Sequence, residues 1–184
     1  MFEAGFALVT FLWLGLETAL LLREAAGLGS MTDRASALAI IGSVGLAGWA
    51  AVACALAGWG LLPGDGGRWL GLALMVGGLL LRGWAIATLG RWFTATVRLQ
   101  AGQQVVRSGP YCRLRHPSYT GTFATLIGCG LALGTGLGAS LLLLLPLPAY
   151  LYRMRVEECA MLAAFGIEYA AYQQTTRRIL PWIW

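Results

Sequence analysis

The chain contains no lysine and no asparagine, and its one histidine is His116. All 13 basic residues are arginine, set against 8 acidic ones for a net charge of +5. Charged residues fill only 11% of the 184 positions, where a soluble globular domain carries about 25%. That shortage excludes an ordinary soluble fold. The matching surplus is 58% hydrophobic residues with a mean hydropathy of +0.70, which places the chain in a bilayer. The absence of lysine fits the codon bias of a GC-rich genome and needs no functional cause.

Metal and disulfide chemistry are excluded in the same way. Cys54, Cys112, Cys129 and Cys159 form no C-x-x-C pair, and with one histidine there are too few soft ligands for a zinc site. The glycines of "GTGLGA" (134–139) mimic a dinucleotide loop, but no strand precedes them. Arginines beside apolar runs act as orientation signals, so no nucleic-acid partner is expected.

The apolar runs set the organisation. Span 1 covers about Phe6–Leu22, interrupted by Glu17. No basic region precedes it, so it is expected to stay as a helix rather than act as a signal peptide. Span 2 covers about Ala35–Leu62, "PGDGGR" (63–68) is a turn, and span 3 covers about Trp69–Leu89 with Arg82 inside it. Residues 90–116 leave the membrane and carry Arg91, Arg98, Arg107, Arg113 and Arg115. The stretch Pro117–Tyr152 is too long for one crossing and too short for two generous ones. It reads as two short helices, about 118–133 and 139–152, with Gly130, Gly134 and Gly138 giving close helix packing. Beyond it, Leu162, Phe165, Tyr169 and Tyr172 recur at helical spacing and form one apolar face.

The expected fold is therefore an all-α integral membrane protein. It has about five transmembrane helices including a C-terminal hairpin, then an amphipathic cytosolic helix. Residues 1–89 form a three-helix membrane region and 90–184 a second region, integrated into one domain. The positive-inside rule puts Arg23, Arg34 and all arginines from Arg91 onward in the cytoplasm, leaving Arg68 outside and the N-terminus outside. Glu17 and Arg82 lie about five and seven residues before the inner ends of spans 1 and 3, so ~7 and ~10 Å deep. An ion pair between them is geometrically open, and so is snorkelling of Arg82.

One polar strip stands out between apolar runs: "SGPYCRLRHPSY", 108–119. Pro110 and Pro117 hold their predecessors extended, and Pro117 suits the first turn of a helix, so His116 sits at a helix entrance. A second cluster, "RMRVEE" (153–158), places Arg153 and Glu157 four apart on one helical face. Both clusters leave the same hairpin at its inner ends. His116, Tyr119, Arg153 and Glu157 are thus expected around one spot, between cytosol and lipid.

Taken together, "VVRSGPYCRLRHPSYTG", "RMRVEECAMLAAFGIEYAAY" and "TTRRILP" resemble the isoprenylcysteine carboxyl methyltransferase family, related to phospholipid methyltransferases. The resemblance covers roughly residues 80–181. It implies a membrane methyltransferase using S-adenosyl-L-methionine, with S-adenosyl-L-homocysteine as product. It implies cofactor contacts from Arg98, Gln103, Gln104, Val105, Val106, Tyr111, His116, Pro117, Ser118, Tyr119 and Glu157, and a substrate-carboxylate contact from Arg153. Gln103 stands where eukaryotic members often have histidine. The implied partner is a lipophilic or lipidated substrate arriving from the bilayer, first a prenylcysteine-like carboxylate converted to a methyl ester. A lipid-amine N-methyltransferase and a non-enzymatic membrane scaffold are the alternatives. The short chain fits a prokaryotic inner membrane.

Overall fold

The computed structural model describes the backbone of residues 1–25, 31–94 and 100–180, and their side chains except those of 21–34. Arg98 and Pro181, and the side chains of Arg23 and Arg34, lie outside the described residues. Among the described residues there are seven α-helices: α1 (Phe2–Ala25), α2 (Met31–Ala57), α3 (Gly66–Leu89), α4 (Pro117–Ala132), α5 (Gly136–Leu144), α6 (Leu147–Phe165) and α7 (Ile167–Thr175). Two 3₁₀ turns, Gly90–Trp92 and Gly109–Cys112, punctuate the connection between α3 and α4.

Apolar helices satisfy their own backbone groups, which is why long apolar runs form them in lipid. Four segments are long and apolar enough to cross a membrane: Phe2–Leu20, Ala35–Ala57, Gly66–Trp92 and Gly136–Phe165. The hairpin's first arm, α4, has 16 residues, or ~24 Å. Exposed Phe11, Trp49, Leu80 and Trp84 give these helices an apolar outer surface, as lipid-facing helices require.

Three boundaries differ from those read in the sequence. Span 2 stops at Ala57, not Leu62, because Gly58 and Gly60 both turn to positive φ (73° and 65°). The hairpin's second arm is not a separate helix ending at 152. It kinks at Pro146, which has no N–H to give, and then runs on as α6 to Phe165. The expected amphipathic helix is split at Gly166, whose φ of 51° ends α6 and starts α7. The split leaves Leu162 exposed while Tyr169 and Tyr172 are buried with Val105.

The largest packing surface joins α3 to α4. It is a glycine seam at spacing seven: Gly71 meets Gly128, and Gly78 meets Gly121. A Cβ on Gly128 would lie 2.6 Å from the Gly71 carbonyl oxygen, and one on Gly78 would lie 2.5 Å from that of Gly121. Any side chain there would push the helices apart. Gly130 plays the same part against Ala139 across the hairpin, while Gly134, at φ 80°, makes its turn. α1 then packs on α3, and α2 on α5 and α6. The central cluster of Ala47, Ala51, Phe123, Leu126, Leu142, Tyr150, Met154 and Ile179 ties α2, α4, α5, α6 and the tail together.

Candidate active site

The strip 108–116 is shaped before it carries any chemistry. Gly109 has φ 56°, and a Cβ there would meet the Thr88 hydroxyl at 2.9 Å. Only glycine fits against α3 at this point. Pro110 is the second residue of the 3₁₀ turn, and Pro117 is the first residue of α4 with His116 as its N-cap position. The strip is held from the other side by the tail. Arg115 N–H donates to the Arg177 carbonyl at 2.7 Å, and His116 N–H to that of Arg178 at 2.9 Å. Tyr172 adds a hydroxyl bond to the Tyr111 carbonyl at 2.7 Å.

Two adjacent glutamates on α6 gather the polar side chains around them. Glu157 Oε1 accepts from the Tyr119 hydroxyl and from Arg153 Nε at 2.9 Å, and Glu157 Oε2 faces His116 Nδ1 at 3.4 Å. Arg153, buried, also donates from Nη1 to the Ser36 hydroxyl on α2 at 2.9 Å. The neighbouring Glu158 turns to the tail. It accepts from Arg115 Nε at 2.8 Å and Arg178 Nη2 at 2.8 Å, and faces His116 Nε2 at 3.3 Å. His116 thus bridges two carboxylates, one toward the cavity and one toward the tail.

Burial by itself would lower the His116 pKa, but hydrogen bonds and charge from Glu157 and Glu158 outweigh it and raise the pKa above 6.5. The folded state therefore favours the imidazolium. That contribution is complete below the unfolded pKa and is lost as pH rises through the higher folded one. The stability difference between wild type and His116→Gln is expected to shrink as pH rises above 6.5. Thermal unfolding of both proteins in detergent, from about pH 6 to about pH 9 so as to bracket the histidine range, checks it; a difference that grows with pH contradicts the imidazolium.

A second polar group lies deeper. Arg82 Nη2 pairs with Glu17 Oε2 at 3.0 Å, and Arg82 Nη1 donates to Thr122 at 2.6 Å and Ser118 at 3.2 Å. Of the two geometries open to Arg82, the structure holds the pair. It needs α4 as well as α1, because the guanidinium is satisfied from both.

Both groups line one cavity of about 500 Å³, within the roughly 300–1,000 Å³ of small-molecule sites. Gln103, Gln104, Val105, Val106, Tyr111, His116, Ser118, Tyr119, Arg153 and Glu157 all reach it. Pro117 does not; it is buried behind the wall as the helix start. The Gln103 side-chain oxygen accepts from its own loop, at Gln100 N–H, 2.9 Å. Sequence reasoning missed Ser36, Thr122, Arg115 and Glu158. Only Glu158 had a signal, as the second member of an E-E pair facing an arginine-rich tail.

A family model described as phospholipid methyltransferase matches residues 67–168, the span that includes α3, the loop strip, the hairpin and both glutamates. The chain belongs to that family. Within it, the resemblance read from the motifs holds. The chain is 33% identical over 116 residues to protein-S-isoprenylcysteine O-methyltransferase of Tribolium castaneum, covering 62% of this chain and 41% of that protein. It is 32% identical to the Homo sapiens protein of the same name, covering 61% and 40%. A probable enzyme of that name from Oryza sativa subsp. indica is 30% identical, with 61% of its length covered. The matched region thus spans about two fifths to three fifths of these relatives. A solved structure of the eukaryotic intramembrane Ras methyltransferase, isoprenylcysteine carboxyl methyltransferase, superposes with a TM-score of 0.59 at 33% identity, covering 63% of this chain and 43% of that one. The membrane fold is shared with this methyltransferase.

Proposed function

We propose that the chain is a membrane methyltransferase that uses S-adenosyl-L-methionine and methylates a carboxylate on a lipophilic molecule, first a prenylcysteine-like one. One observation carries the reading. Tyr119, His116 and Arg153 converge on Glu157 in a cavity that is also lined by the apolar Leu14, Ile40, Ile41 and Val44. Such a place suits a polar reagent meeting an apolar acceptor.

The residues present fit the cofactor. A carboxylate offers about four lone-pair sites, and Glu157 uses three, leaving room for an ammonium group. Gln104 and the 103–106 backbone supply neutral polar edges, and buried Tyr111 supplies an aromatic face. The cofactor brings a methyl group on a positively charged sulfur, open to displacement by an anionic oxygen. The protein's own residues position, hold charge and exclude water. A carboxylate acceptor is ionised near neutral pH and needs no strong general base. Arg153 orients it, with its guanidinium plane fixed by Glu157 and Ser36. His116, Ser118 and Tyr119 line the cofactor side, and Pro117 holds them in register. In this reading residues 90–184 bind the cofactor, 1–89 wall the acceptor, and the arginine-rich end is cytoplasmic in a prokaryotic inner membrane.

A lipid-amine acceptor is the second reading. Glu17 favours it, because its Oε1 has no hydrogen-bond partner and the residue lines the cavity. Methylation of amine lipids with none of prenylcysteine analogues would select it. The test of the cofactor is S-adenosylhomocysteine binding by calorimetry in detergent. Wild type is expected to bind, and Glu157→Ala to bind about tenfold or more weakly, since a hydrogen bond to a charged group is worth about 1.5–3 kcal/mol. Absence of binding by folded wild type would return the chain to a scaffold.

A further inference from the structure

A second polar cavity lies at the other end of the bundle. It measures about 240 Å³ and is lined by Phe2, Glu3, Asp65, Arg68 and Trp69, where α1 and α3 begin. From Arg68 to Thr88, which stands against Gly109 of the active-site strip, α3 rises ~30 Å at ~1.5 Å per residue. That is about the thickness of a hydrocarbon core, so the two cavities sit at opposite membrane faces. Arg68 is fixed in the second one by α1 and by the hairpin turn. Its guanidinium lies over the Phe2 ring, 5.8 Å from the centroid, and Phe2 meets Trp69 edge-on at 5.2 Å. A Cβ on Gly134 would lie 3.1 Å from Arg68 Nε. Yet among the described residues the side chains of Arg68, Glu3 and Asp65 form no hydrogen bond or ion pair, although all three line the same cavity. One group that seeks an anion and two that seek a cation stand together unjoined.

We propose that this cavity holds the headgroup of an ethanolamine phospholipid from the leaflet opposite the active site, its phosphate on Arg68 and its ammonium between Glu3 and Asp65. The inference does not rest on the proposed reaction. The charges in the wall select the headgroup. A purely anionic one meets two carboxylates for one guanidinium, and a bare cation meets Arg68. A phosphate with a tethered ammonium answers both signs at once. The planar guanidinium matches phosphate oxygens, and a primary ammonium has three N–H donors for the carboxylates. A choline group has none and depends on an aromatic face, but Arg68 already covers that of Phe2. The lipid source follows from the surroundings. Trp69 and Leu70 are exposed beside the cavity, and tryptophan at the end of a span marks headgroup depth. A lipid held there joins the start of α1 to α3, the same two helices that Glu17 and Arg82 join further in.

The experiment adds phosphatidylethanolamine, phosphatidylcholine or phosphatidylglycerol of equal chain length to the whole chain in detergent and reads bound lipid by native mass spectrometry. Phosphatidylethanolamine is expected to bind about tenfold or more tightly than the other two, the scale of one hydrogen bond to a charged group. Arg68→Gln is expected to remove that advantage. Glu3→Gln combined with Asp65→Asn is expected to weaken phosphatidylethanolamine and strengthen phosphatidylglycerol, because the anionic headgroup no longer meets carboxylates. Both positions are exposed, so this variant keeps the test open if Arg68→Gln does not fold. Arg155→Gln, at an exposed position of α6, is the control and leaves all three affinities unchanged. Equal binding of the three lipids, or a preference that survives both cavity variants, overturns the inference. A preference lost in Glu17→Gln but kept in Arg68→Gln also overturns it, by placing the lipid in the larger cavity. Soluble phosphoethanolamine that binds as tightly as the lipid rejects the membrane as its source.

Discussion

Glu158→Ala is expected to lower the unfolding temperature in detergent by roughly 6–20 °C. Glu158 is 4% exposed and receives Arg115 and Arg178 while facing His116. Its removal takes away the carboxylate shared by Arg115 and Arg178 and leaves His116 facing Glu157 alone. Breaking one partner out of a buried ion pair costs about 3–5 kcal/mol, and at this chain length 1 kcal/mol moves the midpoint by about 2–4 °C. The damage has a specific address. The tail is held to the 113–116 strip by Leu114–Arg177 pairing and by the Thr120 hydroxyl bond to the Ile179 carbonyl at 2.7 Å, with Glu158 bonded to both sides. Trypsin is therefore expected to cut after Arg177 and Arg178 in the variant well before it does in wild type. A variant with wild-type midpoint and wild-type resistance would show that the backbone pairing alone holds the tail.

Arg153→Ala is expected to remove turnover while leaving S-adenosylhomocysteine affinity within a few-fold of wild type. Two charge-assisted hydrogen bonds to an acceptor carboxylate are worth about 3–6 kcal/mol together, or roughly 10²–10⁴ in kcat/KM. The Arg153–Glu157 bond couples the two sites. Losing Arg153 frees one Glu157 lone pair, but Tyr119 and His116 still hold the carboxylate, so the proposed cofactor contact is expected to survive. Arg153→Lys restores the charge without the planar fork that Ser36 and Glu157 jointly orient, and is expected to recover little. Equal loss of turnover and affinity in Arg153→Ala would merge the two roles into one. Full activity would move the acceptor's carboxylate elsewhere, with Arg82 and Arg115 the other arginines in the cavity wall.

The meeting of His116, Arg153 and Glu157 was legible because local rules place them. Pro117 fixes His116 at a helix start, and a spacing of four brings Arg153 to Glu157. The tail was legible only as a motif. Nothing in "TTRRIL" says that its backbone lies beside "RLRH", because such pairing joins segments some 60 residues apart. The seam of Gly71, Gly78, Gly121 and Gly128 escaped for a related reason: spacing seven in two separate helices has no local signature, and it acquires meaning when the helices touch.

Composition and periodicity by themselves determined a helical membrane protein with most of its arginines beside its apolar runs and its charged motifs leaving one hairpin. Those are properties of single segments, set by the cost of polar backbone in lipid and by helical spacing. Tertiary structure alone decided that Glu17 meets Arg82, that Ser36 of an otherwise featureless span holds Arg153, and that Glu158 rather than Glu157 closes the tail. Each of those contacts depends on which helix faces which, and that choice is made by shape complementarity across the glycine seam and the central core, which no one segment encodes.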